Sequence, residues 1–319
     1  MSELKLLTTE GLADIPRPKW LIEDFVAEKA TTMIYGPWGL GKSFFALDMA
    51  LWASTGQDVY GRRTERPLKT MFIVAEGAAW WYRRLLAWEK ENGEVDRDML
   101  LWVPQPVDLF HGSGNLEFSQ LETFVAEHSP DVLVVDTWVR CSAAYGMNED
   151  KATDTAQAYK NLDYLRDKYD VTPVIVHHPT KSGGVRGSGN QEASVERVIG
   201  LHPVENLEHT FDVKDEKGNH TEPFSPFRMT ITGVGLDEFS EGLTSAVLKY
   251  DGLSPSKDGK SNADILWAAI ATIIPQQGWP LKEFKNKGVK DGSVFKALQD
   301  LVLRDLLVKD GSMYRLPLK

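Results

Sequence analysis

The sequence has very little cysteine and no long hydrophobic run. Cys141 is the single cysteine among 319 residues, which excludes a disulfide within the chain and a zinc site built from several cysteines. The longest apolar segment, residues 263–274, falls short of the roughly 20 residues that a membrane-spanning helix needs. The N-terminus also lacks the basic and then apolar pattern of a secretion signal. We therefore expect a cytoplasmic protein that makes no membrane contact.

The sequence is also short of positive charge. It has 36 Lys and Arg against 46 Asp and Glu, a net charge of −10, which argues against a surface covered by nucleic acid. The charge is uneven, because residues 253–319 carry a net charge of +4 and residues 1–252 a net charge of −14. We therefore expect any contact with DNA to be local.

Apolar strands alternate with helices through the first half of the chain. This pattern predicts an α/β fold whose parallel sheet is covered on both faces. From about residue 196 the pattern changes to consecutive strands joined by turns, one of them at residues 217–219, so we expect antiparallel strands to be added to the sheet. Residues 1–19 are expected to be an irregular lead-in. The predicted strands are 31–35, 70–75, 131–136, 172–176, 197–203, 209–214, 227–234 and 244–250, and the predicted helices are 44–53, 78–92, 116–128 and 150–169.

A complete phosphate-binding motif lies between the first predicted strand and its helix. Residues 36–43 read GPWGLGKS, which matches G-x-x-x-x-G-K-S. The glycines let backbone N–H groups turn toward phosphates, and the helix N-terminus adds partial positive charge. We expect Lys42 to reach the β- and γ-phosphates of ATP and Ser43 to hold Mg²⁺. The predicted nucleotide-binding residues are Gly36, Pro37, Trp38, Gly39, Leu40, Gly41, Lys42, Ser43 and Phe44.

Two carboxylates end predicted strands near this loop. Asp136 ends the run V-L-V-V-D, the form of a Walker B strand, and is predicted to bind Mg²⁺ together with Ser43. Glu76 ends the strand after the phosphate-loop helix, where a carboxylate can orient the water that attacks the γ-phosphate. The alternative for Glu76 is a capping role at the start of the next helix. The favoured interpretation makes Glu76 the catalytic base.

His177 and His178 end the fourth predicted strand. A polar side chain there can hydrogen-bond the γ-phosphate and sense hydrolysis, and strand alternation lets only one of the two face the nucleotide. A zinc site is an alternative, but no cysteine and no third histidine lies nearby at ligand spacing. The glycine-rich loop 179–189 follows, and its Lys181 and Arg186 are candidates for contact with DNA phosphates or with a neighbour's nucleotide.

Two further segments combine positive charge with a suggestive position. Lys214 and Lys217 are predicted at a strand end and its turn, where a cation from an adjacent subunit can stabilise charge on the transferred phosphoryl group. Residues 80–84 read Trp-Trp-Tyr-Arg-Arg, a run that can stack nucleic-acid bases. The favoured interpretation of this run is that its aromatics belong to the helix core and its arginines pair with carboxylates.

The residues after 252 predict a second, small domain. Residues 253–262 contain Ser, Pro, Gly, Lys and Asp and predict a linker between an ATPase domain, 1–252, and a domain at 263–319. Predicted helices at 263–274, 281–287 and 292–305 are followed by a hairpin signal, residues 306–309 and 313–316 around Asp-Gly-Ser. This order is typical of a winged-helix module. Its third helix, with Lys290 and Lys296 nearby, is predicted to recognise duplex DNA.

Taken together, these motifs resemble the RecA-like ATPases of phage and plasmid replication, and are close to the RepA-type hexameric replicative helicases. The resemblance rests on the order of phosphate loop, strand-end Glu, Walker B strand, and His-His before Arg-Gly-Ser at 186–188. It implies that Lys42 and Ser43 bind nucleotide and Mg²⁺, that Glu76 is the catalytic base, and that His178 is the sensor. It also implies a ring with ATP between subunits, and places the inter-subunit finger near Lys214 and Lys217.

Three functions remain open from the sequence. The first is an ATP-driven ring, expected to be a hexamer, that translocates on single-stranded DNA and unwinds duplex DNA, with its C-terminal domain bound to duplex DNA or to a replication protein. The second is an ATP-gated DNA-binding protein, such as a recombinase-like filament, loader or regulator, that does not unwind DNA. The third is a metabolic P-loop kinase, which would be a monomer indifferent to DNA.

Overall fold

One large sheet forms the centre of the protein in the computed structural model. Before it, two short strands, β1 (Trp20–Ile22) and β2 (Val26–Ala27), pair with each other. The strands of the large sheet are β3 (Thr32–Tyr35), β4 (Thr70–Val74), β5 (Leu100–Val103), β6 (Val132–Asp136), β7 (Thr172–His177), β8 (Arg197–Pro203), β9 (Thr210–Gly218), β10 (Phe227–Gly235) and β11 (Thr244–Leu253). The structure describes residues 6–13, 19–147, 151–178, 193–218, 223–236, 244–254, 262–270, 274–275, 278–285, 287, 289, 291–304 and 306–317.

The strand order places the phosphate loop near the middle of the sheet. The order is β11-β10-β9-β8-β3-β7-β6-β4-β5. Neighbours from β5 to β8 pair in parallel, and β9, β10 and β11 continue in antiparallel pairs. This confirms the predicted α/β fold, a parallel sheet with added antiparallel strands. Because β3, β7, β6 and β4 are parallel, their carboxyl ends lie at one edge, where the predicted site residues follow them.

Helices cover both faces of the sheet. Alternate strand residues point to opposite faces, so Phe72 and Val134 pack in a hydrophobic cluster with α2 and α3, whereas Met71 and Leu133 pack in a second cluster with α4, α5 and α6. None of the helices in the described part of the chain combines the length and the apolar character that crossing a membrane requires. The helices are α1 (Thr9–Ala13), α2 (Lys42–Thr55), α3 (Ala78–Asn92), α4 (Leu116–His128), α5 (Trp138–Ala144) and α6 (Ala152–Tyr169).

The structure corrects the sequence prediction at several places. β5 and α5 were not predicted, and the lead-in contains α1. The predicted turn at 217–219 is wrong at Lys217 and Gly218, because both continue β9 and pair with β8; Asn219 lies outside the described residues. The predicted helix 281–287 is a 3-10 turn over Leu281–Phe284.

The C-terminal part is a small unit of helices and short strands. Its elements are α7 (Asn262–Ile270), β12 (Trp279–Pro280), α8 (Asp291–Leu303), β13 (Val308–Asp310) and β14 (Met313–Arg315). The strands form a sheet in the order β12-β14-β13, which includes the predicted hairpin. β11 ends and α7 begins close to the bounds of the predicted linker. The division into two domains and the winged-helix identity stay predictions.

Helix α8 contacts the ATPase core through one of its faces. The Lys296 Nζ atom lies 3.2 Å from Oδ2 of Asp24, and the amide of Gln299 donates a hydrogen bond of 2.9 Å to the carbonyl of Gly61. This is the helix that the sequence predicts to recognise duplex DNA. In the structure, its Lys296 is paired within the chain, and Lys290 lies outside the described residues.

A chain of buried and partly buried side chains connects the phosphate-loop helix to α8. Asp48 of α2 accepts hydrogen bonds from the Tyr60 hydroxyl and from Nε1 of Trp88, the latter at 2.8 Å. Tyr60 stacks on Tyr250 with ring centroids 6.1 Å apart, and Tyr250 in turn hydrogen-bonds to Asp300 of α8. Burial raises the pKa of Asp48 to about 7. The interior beneath the phosphate loop is therefore continuous with the contact surface of the C-terminal unit.

Candidate nucleotide site

The phosphate loop follows β3 directly and ends where α2 begins. Gly39 and Gly41 have φ values of 75° and 104°, in the left-handed region that favours glycine. A Cβ atom on Gly36 would lie 2.9 Å from the carbonyl oxygen of Leu201, and one on Gly41 would lie 2.7 Å from Cδ1 of Ile231. The space around the loop therefore requires glycine at residue 36, where the close atom belongs to the backbone, whereas at residue 41 it is the left-handed backbone conformation that requires glycine.

Lys42 folds back over the loop. Its Nζ atom donates hydrogen bonds of 2.8 Å to the carbonyls of Gly36 and of Pro37. Burial lowers the pKa of Lys42 to about 8, although the charges of Asp136 and Glu76 oppose this effect. The geometry keeps a cation over the cradle, where phosphate oxygens can replace the two carbonyls.

Asp136 supplies a buried carboxylate beside the loop. Its side chain hydrogen-bonds to Ser43, and its Oδ2 atom is buried with no hydrogen-bond partner among the described residues. Burial raises its pKa to about 6, and the Ser43 hydrogen bond and the charges of Arg84 and Lys42 oppose that rise. Buried polar atoms normally have partners, and a hydroxyl beside a carboxylate oxygen is a donor set that Mg²⁺ accepts. These residues fit Mg²⁺ together with the phosphates of a nucleotide.

Glu76 lies two residues beyond the end of β4, next to Asp136. In the sheet, Val74 pairs with Asp136, so Glu76 extends past the carboxyl edge of the same pair of strands. Its charge acts on both Lys42 and Asp136. The Glu76 Oε2 atom accepts a hydrogen bond of 2.7 Å from Nε of Arg140, on α5. The predicted base is thus at the site and is held there by an arginine.

The two histidines differ in their surroundings. His177 is the last residue of β7 and is buried, with Nδ1 2.7 Å from the carbonyl oxygen of His178. His178 is half-buried and lines the same cleft as Lys42 and Glu76. Within the described residues, no group of three or more His, Cys, Asp or Glu is placed to hold a metal ion. The sensor role of His178 stays a prediction, and His178 is the histidine placed to fill it.

Arg84 belongs to the site, although sequence reasoning did not assign it there. Its guanidinium carbon lies 4.4 Å from the ring centroid of Phe44 and 5.3 Å from that of Trp81. Its Nη1 atom is buried and has no hydrogen-bond partner in the described part of the chain. Burial lowers the pKa of Arg84, against the charge of Asp136. Arginines 83 and 84 both stack on aromatic rings. Among the described residues neither makes the ion pair with a carboxylate that the sequence predicts, although the charge of Asp136 acts on Arg84.

One cleft of about 310 Å³ at the carboxyl edge of the sheet is lined by Lys42, Ser43, Glu76, Arg84 and His178. Asp136 is not in its lining, but it hydrogen-bonds to Ser43, which is. The cleft borders solvent at Trp38, which is 87% exposed. Leu40 of the loop packs against the hydrophobic core instead. The lining residues are Trp38, Gly39, Gly41, Lys42, Ser43, Phe44, Glu76, Arg84, Thr137, His178 and Ile231.

Two of the cations predicted from elsewhere in the chain, Lys214 and Lys217, are not among the described residues that line this cleft. Both lysines lie in β9, with Lys214 in its middle and Lys217 one residue before its last residue, Gly218. Lys214 pairs with Gly200 of β8, which pairs with Tyr35 next to the phosphate loop. Lys217 lies farther from that edge, and its Nζ atom donates a hydrogen bond of 2.6 Å to the carbonyl of Val195. Arg186 lies outside the described residues.

Comparison with known proteins places the chain in a family. Residues 2–184 match the family described as an AAA domain (AAA_25), which is more than half of the 319 residues. The chain belongs to this AAA-domain family. The AAA-domain protein therefore contains a P-loop ATPase domain, in agreement with its phosphate loop and with the parallel strands around that loop.

The other comparisons add little to this assignment. The crystal structure of the RadB recombinase is similar to the AAA-domain protein with a TM-score of 0.48 and 15% sequence identity, and the match covers 65% of this chain and 89% of that chain. No curated protein sequence matches the chain.

Proposed function

We propose that this AAA-domain protein is an ATP-hydrolysing DNA motor, a ring-forming replicative helicase of phage or plasmid type. The observation that carries the proposal is a nucleotide cleft with a predicted base, metal ligands and phosphate-binding cations that still borders solvent at Trp38. Such a cleft suits an ATP site that a second copy of the chain completes. A hexamer is the proposed ring.

Each group in the cleft has a proposed role in hydrolysis. Glu76 orients a water molecule and accepts its proton as the water oxygen attacks the γ-phosphorus, and the bond to the β-phosphate oxygen breaks with its electron pair going to ADP. Lys42 and Arg84 stabilise the negative charge on the phosphate oxygens. Asp136 and Ser43 hold Mg²⁺, which neutralises charge on the β- and γ-phosphates when bound.

Three further contacts belong to the proposal. His178, at the cleft wall, hydrogen-bonds the γ-phosphate. A cation from the neighbouring subunit approaches the phosphates, and Lys214, Lys217 and Arg186 are the candidates. Of these, Lys214 lies in register with the start of the phosphate loop. The C-terminal unit, with its net positive charge, is the proposed contact for duplex DNA or a replication protein.

A second function is favoured by the charge of the ATPase core. Residues 1–252 carry a net charge of −14, and a motor that tracks DNA needs a basic path for the phosphate backbone. An ATP-gated DNA-binding protein needs only a local contact. In that case ATP would switch assembly on DNA, as in a filament, loader or regulator, and no duplex would be opened.

The two functions separate in a strand-displacement assay. A helicase hydrolyses ATP faster with single-stranded DNA, opens a forked duplex, and forms rings with ATP in negative-stain images. Hydrolysis that DNA stimulates without any opening of the fork would support the gated binder and contradict the helicase. A monomer whose turnover ignores DNA would contradict both. Lys42→Ala is the control, since it removes the phosphate-binding cation and is expected to abolish turnover.

A further inference from the structure

The first turns of α3 expose an aromatic surface next to Glu76. Trp81 is 4% exposed and belongs to the core, but Trp80 and Tyr82 are each 57% exposed. The expectation that all three aromatics are core therefore holds for Trp81 alone. The backbone N–H of Trp80 donates a hydrogen bond of 2.9 Å to the carbonyl of Gly77, the residue after Glu76. Trp80 is thus an exposed ring within one helical turn of the predicted base.

Two arginines accompany this ring. The guanidinium carbon of Arg83 lies 4.8 Å from the centroid of the Trp80 ring. Arg140 approaches from α5, and its Nε atom makes the 2.7 Å bond to Glu76. The side chain of Arg140 is 60% exposed, and among the described residues its guanidinium has no other hydrogen-bond partner. A guanidinium has five N–H donors, so most of those of Arg140 face solvent.

An exposed aromatic ring flanked by arginines suits single-stranded nucleic acid. Bases stack on aromatic rings without regard to sequence, and arginines pair with the phosphates between them. Resting on the function proposed above, we propose that Trp80, Arg83 and Arg140 bind single-stranded DNA beside the nucleotide cleft. When a DNA phosphate pairs with Arg140 in place of Glu76, the Glu76 carboxylate is released and can activate water. Arg140 is in this sense a positioning residue, because it acts on the reaction only through Glu76.

The expected size of this effect is modest. An exposed ion pair between arginine and carboxylate raises the equilibrium constant for the paired state by a factor of up to about five. Release of Glu76 from Arg140 is therefore expected to raise kcat by up to about fivefold through this contact. KM for ATP should not change, because Arg140 is absent from the residues that line the cleft.

The first test replaces Arg140. In Arg140→Ala, we expect kcat without DNA to rise by up to about fivefold and single-stranded DNA to give no further increase. The matched control is Arg66→Ala. Arg66 pairs with Asp131 at 2.5 Å, its side chain is 56% exposed, and the pair lies before β4 and β6, at the opposite edge of the sheet. A lower kcat in Arg140→Ala without DNA, or full stimulation by DNA, would overturn the proposal.

The second test measures binding of a fluorescein-labelled oligothymidylate by anisotropy. Loss of one base–aromatic stack weakens binding about 5- to 150-fold, so Trp80→Ala should lose affinity in that range. Tyr82→Ala is the control, because residue 82 has equal exposure but lies about 200° around the helix from residue 80. Equal losses in the two variants would contradict the proposal. If Trp80→Ala changes the mass measured by light scattering but keeps its affinity for DNA, the surface is a contact between subunits and the proposal is wrong.

The outcomes also separate this inference from the proposed function. A wild-type protein that neither binds single-stranded DNA nor responds to it would overturn both. A wild-type protein that single-stranded DNA stimulates, together with an Arg140→Ala variant that is stimulated as much, would overturn only the role of Arg140.

Discussion

The affinity for MgATP should be highest near neutral pH and fall on both sides. Asp136 must be ionised to hold Mg²⁺, and burial raises its pKa to about 6. Lys42 must be charged to bind phosphate, and burial lowers its pKa to about 8. At pH 7, about nine-tenths of each group carries the required charge, whereas at pH 5 only about a tenth of Asp136 does, and at pH 9 only about a tenth of Lys42. We therefore expect the affinity to be about tenfold lower at each of these limits.

Titration of the protein with MgATP in a calorimeter, repeated from pH 5 to pH 9, measures this profile. Asp136→Asn is the decisive control, because it removes the carboxylate but leaves the ionisation of the nucleotide itself unchanged. This variant should bind more weakly at pH 7 and show a smaller fall on the acid side, because only protonation of the nucleotide remains. An affinity that stays constant over the range would refute the reasoning. A fall on the acid side that is equally steep in Asp136→Asn would refute the assignment to Asp136.

Three further changes test other parts of the site. Glu76→Gln should still bind MgATP but release no phosphate; normal turnover would contradict its role as base. Arg84→Ala should lower kcat by about a hundredfold or more, as loss of one preorganised donor does, with its melting temperature as the control for folding. Asp48 has a pKa of about 7 when folded, so the unfolded chain releases its proton first and stability falls as pH rises from about 4 to about 7. Asp48→Asn should remove that loss of unfolding free energy, which is at most about 4 kcal/mol. Thermal melts at about pH 4 and about pH 7 measure it, and a variant with the same pH dependence as the wild type would refute the reasoning.

Much of the fold follows from the sequence because the strands are buried on both faces. Continuous apolar runs such as residues 132–135 predict parallel strands, and the helices α3 and α4 begin and end where predicted. β5 is also an apolar run, residues 100–103 before Pro104, but it is short and lies at the sheet edge. The extension of β9 through Lys217 and Gly218 depends on its pairing with β8, which no local pattern reveals.

Some residues of the candidate site could also be predicted from the sequence, and others could not. The motif residues follow from sequence because each is tied to a strand end, and parallel strands bring those ends together. Arg84 and Arg140 carry no such signal, since each reaches the site from within a helix. The helical pattern of residues 80–84 does indicate that Arg84 is directed inward, because Arg84 lies three positions after the buried Trp81 and so shares its face of the helix. The stacking of Arg84 on Phe44 depends on how α2 and α3 pack.

Because α8 packs against the ATPase core, the C-terminal unit and the core should unfold together. Residues of the C-terminal unit, among them Leu298 and Leu301, belong to the same hydrophobic cluster as the phosphate-loop helix. Heating should therefore melt the two parts in one cooperative transition. By the same reasoning, MgATP should protect the C-terminal unit from proteolysis as well as the nucleotide site. A chain cut at residue 252 would be an ATPase with part of its interior uncovered, and that surface would favour aggregation.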